Sequence, residues 1–171
     1  MKTSKIELEK LVGLIRGYGN RMVTGLSDTE FTWIPSNTKG RTIHSYFRHI
    51  INAEIFWLLN MRYSNFDYYG PNIKLEKLIQ GFESMEDYLL GAIKEASEEQ
   101  MEIIQHILEK EETIQTGTLG WMIWRTSMHA VHHFAQIAYI RNALENPPIE
   151  DDNYNWSKVM DSIVLLKLGI Q

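Results

Sequence analysis

Apolar residues recur every three or four positions in four long segments of this chain, which is the period of a helix with one buried face. No stretch alternates apolar and polar residues for long enough to predict a sheet. The pattern therefore predicts an all-α fold, a four-helix up-and-down-type bundle in which residues 1–171 form a single domain. The predicted helices run from Leu8 to Leu26, from an N-cap at Thr42 to about Arg62, from an N-cap at Ser84 to Ile107, and from about Thr118 to Glu145.

Two long inter-helix loops and a C-terminal extension complete the predicted architecture. Residues 27–41 and 63–83 contain Ser, Asp, Asn, Pro and Gly without a sustained period, and only 75–81 suggests a short helical piece. The acidic run SEEQME predicts a solvated outer face of the third helix. Pro147 and Pro148 end the fourth helix, and residues 156–168 predict a terminal helix or a tail that faces a partner.

Composition narrows the chemistry that such a chain can carry out. The absence of cysteine excludes disulfides, thiolate metal sites and a protein thiol nucleophile, so any metal site must use histidines and carboxylates. The net charge of -5 argues against nucleic acid or an anionic membrane as a partner and favours a small neutral or polar ligand. The N-terminus lacks the apolar run of a secretory signal and no segment is apolar enough for a membrane span, which predicts a cytoplasmic protein.

Histidines are the main chemical signal. Three of the six, His129, His132 and His133, fall within a span of five residues in the fourth predicted helix. His129 and His133 lie one turn apart, about 40° from each other around the helix, so both can reach one ion. The second helix offers a third imidazole from His44 or His49, and only one of these can point inward since they are about 140° apart. The central position favours His49. The prediction is a divalent-metal site of His49, His129 and His133, against the alternative of histidines that merely hydrogen-bond in the core.

Other enzyme motifs with a defined spacing are absent. The sequence has no Glu-x-x-His for a di-iron carboxylate bundle, no HExxH for a zinc protease, no phosphate-binding GxxxxGK[ST] and no GxSxG nucleophile turn. Among these enzyme sites, the three-imidazole metal site is the one that the sequence leaves open, beside the alternative of histidines that only hydrogen-bond in the core.

Two blocks of sequence, TIHSYFRHIINAEIFWLLNM and MHAVHHFAQIAYIRNALENPP, resemble the DinB/YfiT-like family. In that family a histidine on the second helix joins a His-x-x-x-His pair late in the chain. The matching residues here are His49 with Glu54 and Trp57, and His129 and His133 with Gln136, Arg141, Pro147 and Pro148. The chain departs from the common pattern at His132, which stands beside His133 and is expected to replace a ligand or to line the pocket.

The resemblance implies a four-helix bundle, a three-histidine divalent ion and often a homodimer. The ion is expected to be zinc or nickel, with iron, manganese and copper also compatible. The implied function is a metal-dependent enzyme that activates a low-molecular-weight thiol or water, first of all a thiol S-transferase of the bacillithiol-transferase type. The alternatives are a metal-dependent hydrolase and a non-catalytic helical protein that binds a partner through the aromatic loop 63–69 or its C-terminal tail.

Several further residues are predicted to support the site. Arg125, one turn before His129, is a catalytic candidate for binding an anionic substrate group, and His132 is a second catalytic candidate. Asn52 and Gln136 each lie three residues from a predicted ligand and are expected to hold a ligand N–H. The aromatic residues Trp57, Trp121 and Trp124 are expected to form either an apolar wall of the pocket or part of the core.

Overall fold

The computed structural model describes residues 4–34, 40–61, 66–109, 112–148 and 156–168. Within these ranges the chain is predominantly helical, as predicted. The helices are α1 (Lys5–Val23), α2 (Asp28–Thr32), α3 (Ile43–Asn60), α4 (Leu75–Glu95), α5 (Glu98–Glu102), α6 (Leu119–Ala143) and α7 (Trp156–Leu168), and the strands are β1 (Gln105–Glu109) and β2 (Glu112–Gly117).

The four longest helices share one hydrophobic core. Helix α1 packs on α4 and α6, and α3 packs on the same two helices. The rings of Phe82 and Phe134 occupy the place where a Cβ of residue 19 would stand, so Gly19 lets α4 and α6 approach α1 closely. These contacts agree with a bundle of four helices, whose up-and-down order stays a prediction.

Helix α1 ends earlier than the apolar stripe suggested. The predicted stripe extended to Leu26, but the helix ends at Val23. Thr24 has an extended backbone and Gly25 a positive φ of 78°, a conformation that glycine adopts without strain. Leu26 still packs against the core from outside the helix. Apolar periodicity thus marked the buried face and missed the turn that stops the helix.

The two helices that carry the histidine motifs begin where the sequence predicted. The Ser45 N–H donates to Oγ1 of the N-cap Thr42 at 2.9 Å, and the Trp121 N–H donates to Thr118 Oγ1 at 3.2 Å. Helix α6 ends at Ala143, two residues before the predicted Glu145. Helix α3 ends at Asn60, and the predicted end at Arg62 lies outside the described residues.

The prediction of two long structureless loops was wrong in part. Residues 27–41 contain α2, whose N-cap Ser27 accepts from the Glu30 N–H while the Glu30 side chain accepts from the Ser27 N–H. The suggested helical piece at 75–81 is the start of α4. Ser84 is not an N-cap, because it lies inside α4 and its hydroxyl donates to the Gln80 carbonyl. Nothing between Leu75 and Ser84 breaks the helix, so the two predicted pieces join.

The end of the predicted third helix was also wrong. Helix α4 stops at Glu95, and Ser97 caps the short α5, within which Met101 is buried and the glutamates are exposed. Strands β1 and β2 then pair antiparallel with an irregularity at Ile107 and Leu108, which corrects the expectation of no sheet. Of the isoleucines at the end of the predicted third helix, Ile103 and Ile104 are 49% and 68% exposed, whereas Ile107, which lies on β1, is fully buried.

The C-terminal extension is a helix that packs on α1. Val159 and Ile163 of α7 are buried in the common core. This agrees with the terminal-helix interpretation of residues 156–168. Among the helices of the described ranges, none combines the length and the apolar content that crossing a membrane requires.

Candidate metal centre

Helices α3 and α6 bring three of the six histidines together. Ligand nitrogens of His49, His129 and His133 all lie within 4.8 Å of one another. The His49 ring centroid lies 4.9 Å from that of His129 and 4.8 Å from that of His133. His44 stays outside this cluster, since its Nε2 lies 2.8 Å from the Ile73 carbonyl oxygen. The structure therefore selects the same histidine of α3 that the sequence favoured.

The ring nitrogens of the cluster are oriented for a shared ligand. The Nε2 atoms of His129 and His133 lie 3.1 Å apart. Two nitrogens on one tetrahedral zinc are separated by about 3.3 Å, so the observed spacing fits such an ion with little adjustment. The His133 Nδ1–H donates to Gln136 Oε1 at 2.6 Å, which leaves the lone pair of His133 on Nε2, toward His129.

His129 differs from His133 in its outer nitrogen. Its Nδ1 is buried and has no hydrogen-bond partner among the described residues. Its Nε2 faces the neighbouring imidazole instead of water. Burying an imidazole nitrogen without a hydrogen-bond partner costs stability, and a histidine that served only packing would bring no compensation for that cost. The arrangement fits a histidine that is held in place for a ligand.

The electrostatics of the cluster keep its imidazoles neutral. Burial above all, followed by the neighbouring His133, His49 and Arg125, lowers the pKa of His129 to about 4. The pKa of His49 is lowered by burial and then by His133, Arg41 and Arg48. The pKa of His133 is also lowered by burial, although its hydrogen bond to Gln136 acts in the opposite direction. At pH 7 the three rings can therefore donate lone pairs.

Arginines dominate the charged surroundings of the three imidazoles. Arg41 and Arg48 act on the pKa of His49, and Arg125 acts on that of His129. Among the described residues that shift the pKa values of the three histidines, none is a carboxylate. The site thus has a positive environment within a chain whose net charge is -5. The net charge of the chain favoured a neutral or polar ligand, but this local environment favours an anionic one.

A cavity of about 420 Å³ adjoins the cluster between the start of α3 and the outer face of α6. Gln136, which holds His133, forms part of its wall, and so do His132 and Arg41. Tyr46 also lines it, and its ring centroid lies 5.5 Å from that of His133. His133 therefore has two contacts, Tyr46 and Gln136, that are shared with an open cavity.

The two catalytic candidates lie at the edge of the cluster, on exposed positions of α6. The His132 ring centroid is 5.0 Å from that of His133, and His132 lines the cavity. Arg125 is close enough to His129 to lower its pKa. Neither belongs to the trio of converging nitrogens. Their catalytic roles stay predictions.

Other residues singled out in the sequence have structural roles. Asn52 does not hold a histidine: its side chain bonds both the N–H and the carbonyl of Tyr69. Glu54 forms a buried ion pair with Arg16 at 2.7 Å. Trp57 contacts Trp121, and neither these two nor Trp124 is among the described residues that line the cavity beside the histidines, which favours the core interpretation.

Sequence reasoning missed Arg41, Tyr46 and Arg48 as members of the site. A helical signal existed for Tyr46, which lies one turn before His49 on α3, but Arg41 precedes the N-cap Thr42 and lies outside the helix. Arg48 is held by the Tyr69 carbonyl at 3.4 Å. An arginine near the end of a helix is usually a solvated cation, so its position alone did not indicate a ligand.

A sequence model of the DinB superfamily matches residues 19–137, more than half of the chain. The match includes the three clustered histidines and Gln136, and it ends before Arg141 and α7. Comparisons with the curated proteins and with the solved structures give no match.

Proposed function

The chain belongs to the DinB superfamily, and we propose that it is a metal-dependent enzyme whose ion is held by His49, His129 and His133. The observation that carries this proposal is the convergence of three neutral ring nitrogens within 4.8 Å, beside a cavity. Zinc or nickel is the proposed ion, and iron, manganese and copper are compatible with the same ligands. Such an ion, when bound, supplies Lewis acidity that lowers the pKa of a coordinated thiol or water.

The favoured activity is transfer of a low-molecular-weight thiol, as in the bacillithiol-transferase type. The chain has no cysteine of its own, so the sulfur must come from a small molecule. Gln136 and Tyr46 hold the ring of His133 in one orientation. The Nε2 lone pair therefore keeps pointing toward the site where the ion would bind. The arginines around the cluster favour a nucleophile in its anionic form. Arg125 is the proposed partner for an anionic group of the substrate.

His132 supports a second candidate function, metal-dependent hydrolysis. Hydrolysis requires a group that protonates the leaving atom, and His132 is the imidazole that lines the cavity without belonging to the converging trio. A His132→Gln variant should then lose hydrolysis while it keeps its metal. Thiol transfer that is unaffected by the same change would favour the first function.

Elemental analysis tests the metal site. Protein purified without a metal-affinity tag should contain about one divalent ion per chain, and the His49→Ala and His133→Ala variants should contain almost none, because two nitrogens hold zinc much more weakly than three. His106→Ala, a change at an exposed histidine on β1, is the matched control and should keep the ion. Equal, near-zero metal in all four proteins contradicts the proposal.

An activity assay separates an enzyme from a non-catalytic protein. Cysteine with an aromatic halide tests thiol transfer, and a nitrophenyl ester tests hydrolysis. Turnover that a chelator abolishes, with the helical circular dichroism signal retained, supports the enzyme. Loss of structure on chelation without turnover by the loaded protein supports a structural ion in an interaction protein.

The remaining proposals concern the setting of the protein. We propose a homodimer, which the family resemblance implies, and a cytoplasmic location. Light scattering on the eluted protein tests the first, with a mass of twice 20.0 kDa as the expected result. Fractionation of the source cells tests the second.

A further inference from the structure

The cavity beside His133 has walls of a distinctive chemical kind. Its described lining contains one arginine, one histidine, one glutamine, two tyrosines and three small or apolar residues, and no carboxylate. Two of its walls, Tyr46 and Gln136, also contact His133. A molecule in this cavity is therefore separated from His133 by the side chains of Tyr46 and Gln136.

Arg41 supplies the positive charge of this cavity. Its side chain is exposed and has no hydrogen bond or ion pair to any part of the chain that the structure describes. Arg41 lines the same cavity as Tyr46 and Gln136, the two residues that contact His133. A guanidinium beside a concave surface whose described lining has no acidic group can hold a carboxylate through two parallel hydrogen bonds.

The tyrosines supply apolar surface to the walls of the cavity. Tyr139 is 71% exposed although it lies on the long helix α6, and its ring borders the cavity. Tyr46 is half-buried against His133. Aromatic rings of this kind present a flat apolar face to a ligand at a low cost in side-chain entropy.

We propose that this cavity is the subsite for a substrate with a carboxylate on a flat apolar body. Arg41 binds the carboxylate, and Tyr46 and Tyr139 contact the body of the molecule. This inference rests on the function proposed above, because the reacting part of the substrate is then placed against His133. It adds Arg41, which sequence reasoning did not consider, to Arg125 as a partner for an anionic group of the substrate.

Benzoate and its neutral analogue benzamide test the subsite. Titration of the zinc-loaded chain, followed by ligand NMR, should show benzoate binding about tenfold more weakly to Arg41→Gln, since a charge-assisted pair is lost, and benzamide binding unchanged. Lys77→Gln removes a surface cation of α4 and is the matched control for net charge. Tyr139→Ala should weaken benzoate about threefold and leave acetate unaffected.

The metal-free chain separates this proposal from the metal site. Benzoate binding that depends on Arg41 in the chelated protein supports the subsite, whether or not the histidines hold an ion. Benzoate binding that is equal in Arg41→Gln and the unaltered chain overturns it. Benzoate binding that disappears on chelation also overturns it, because the carboxylate is then held by the ion instead of Arg41.

Discussion

Helix α6 carries two polar groups about two turns apart, Arg141 and the pair His129 and His133. They differ in whether protein acceptors satisfy their nitrogens. Arg141 is fully buried, and its guanidinium donates to the carbonyls of Met22, Thr24, Asn146 and others near the ends of α1 and α6. His129 and His133 instead turn two acceptor-capable nitrogens toward each other, and His129 Nδ1 has no partner in the described part of the chain.

This difference distinguishes Arg141, which stabilises the fold, from His129 and His133, whose nitrogens are placed to bind a ligand. Every nitrogen of the Arg141 guanidinium has an acceptor, so nothing there is left to bind. Carbonyls that a helix end leaves unpaired are satisfied at the same time. The histidines lack this closure, because the Nε2 atoms of His129 and His133 face each other and His129 Nδ1 has no partner among the described residues. Ring nitrogens that lie close together, one of them without a hydrogen-bond partner among the described residues, therefore distinguish the candidate site from a structural cluster.

The largest expected effect is on stability, at Arg141. An Arg141→Met variant should lose about 3–5 kcal/mol of unfolding free energy, because buried carbonyls of two helix ends lose their donor. Urea unfolding measures the change, and Arg125→Met, at an exposed position of the same helix, should change it by less than about 0.5 kcal/mol. Folded Arg141→Met protein should still bind its metal. A stability loss as small as that of the control would break the comparison.

The next effect is on metal affinity, at Gln136. A Gln136→Ala variant should bind zinc about 10–100-fold more weakly, since the proton of His133 Nδ1 loses its acceptor and the ring loses its orientation. Gln136→Glu keeps an acceptor in the same place and should restore the affinity. Competition with a zinc indicator measures both. Unchanged affinity in Gln136→Ala would mean that the hydrogen bond to His133 does not serve the metal.

A smaller effect is expected at Asn52. The sequence predicted that Asn52 supports a metal ligand, but in the structure its side chain binds the backbone of Tyr69. Asn52→Ala should lower the free energy of unfolding by about 1–2 kcal/mol, because both bonds to the Tyr69 backbone are lost. Its zinc affinity should equal that of the unaltered chain. A stoichiometric titration decides the matter, and weaker zinc binding would return Asn52 to the metal site.

The sequence predicted those parts of the molecule that depend on helical geometry alone. The spacing of His129 and His133, and the caps at Thr42 and Thr118, are local properties that survive folding. The hairpin was missed because each strand is short and only Ile107 is buried among its described side chains. Arg41 and Tyr46 were missed because their nearness to His133 arises only when α3 packs on α6.

The smallest effect is the pH dependence of the metal-free chain, and it sharpens the contrast with Arg141, which stays charged throughout. The pKa of His129 falls from an ordinary value of 6.5 in the unfolded chain to about 4 in the folded one. The unfolded chain therefore binds more protons between these values, and stability falls as the pH drops through this window.

Because His129 is partly exposed, solvent screening reduces the effect of this shift, and the loss between pH 7.5 and pH 5 is about 1 kcal/mol. Urea unfolding of chelated protein at the two pH values measures the loss. A His129→Gln variant should lose less, because the group that resists protonation is gone, while the exposed-histidine control His106→Gln should behave like the unaltered chain. If His129→Gln shows the same pH dependence as the unaltered chain, burial does not hold this imidazole neutral, and its readiness for a ligand requires another cause.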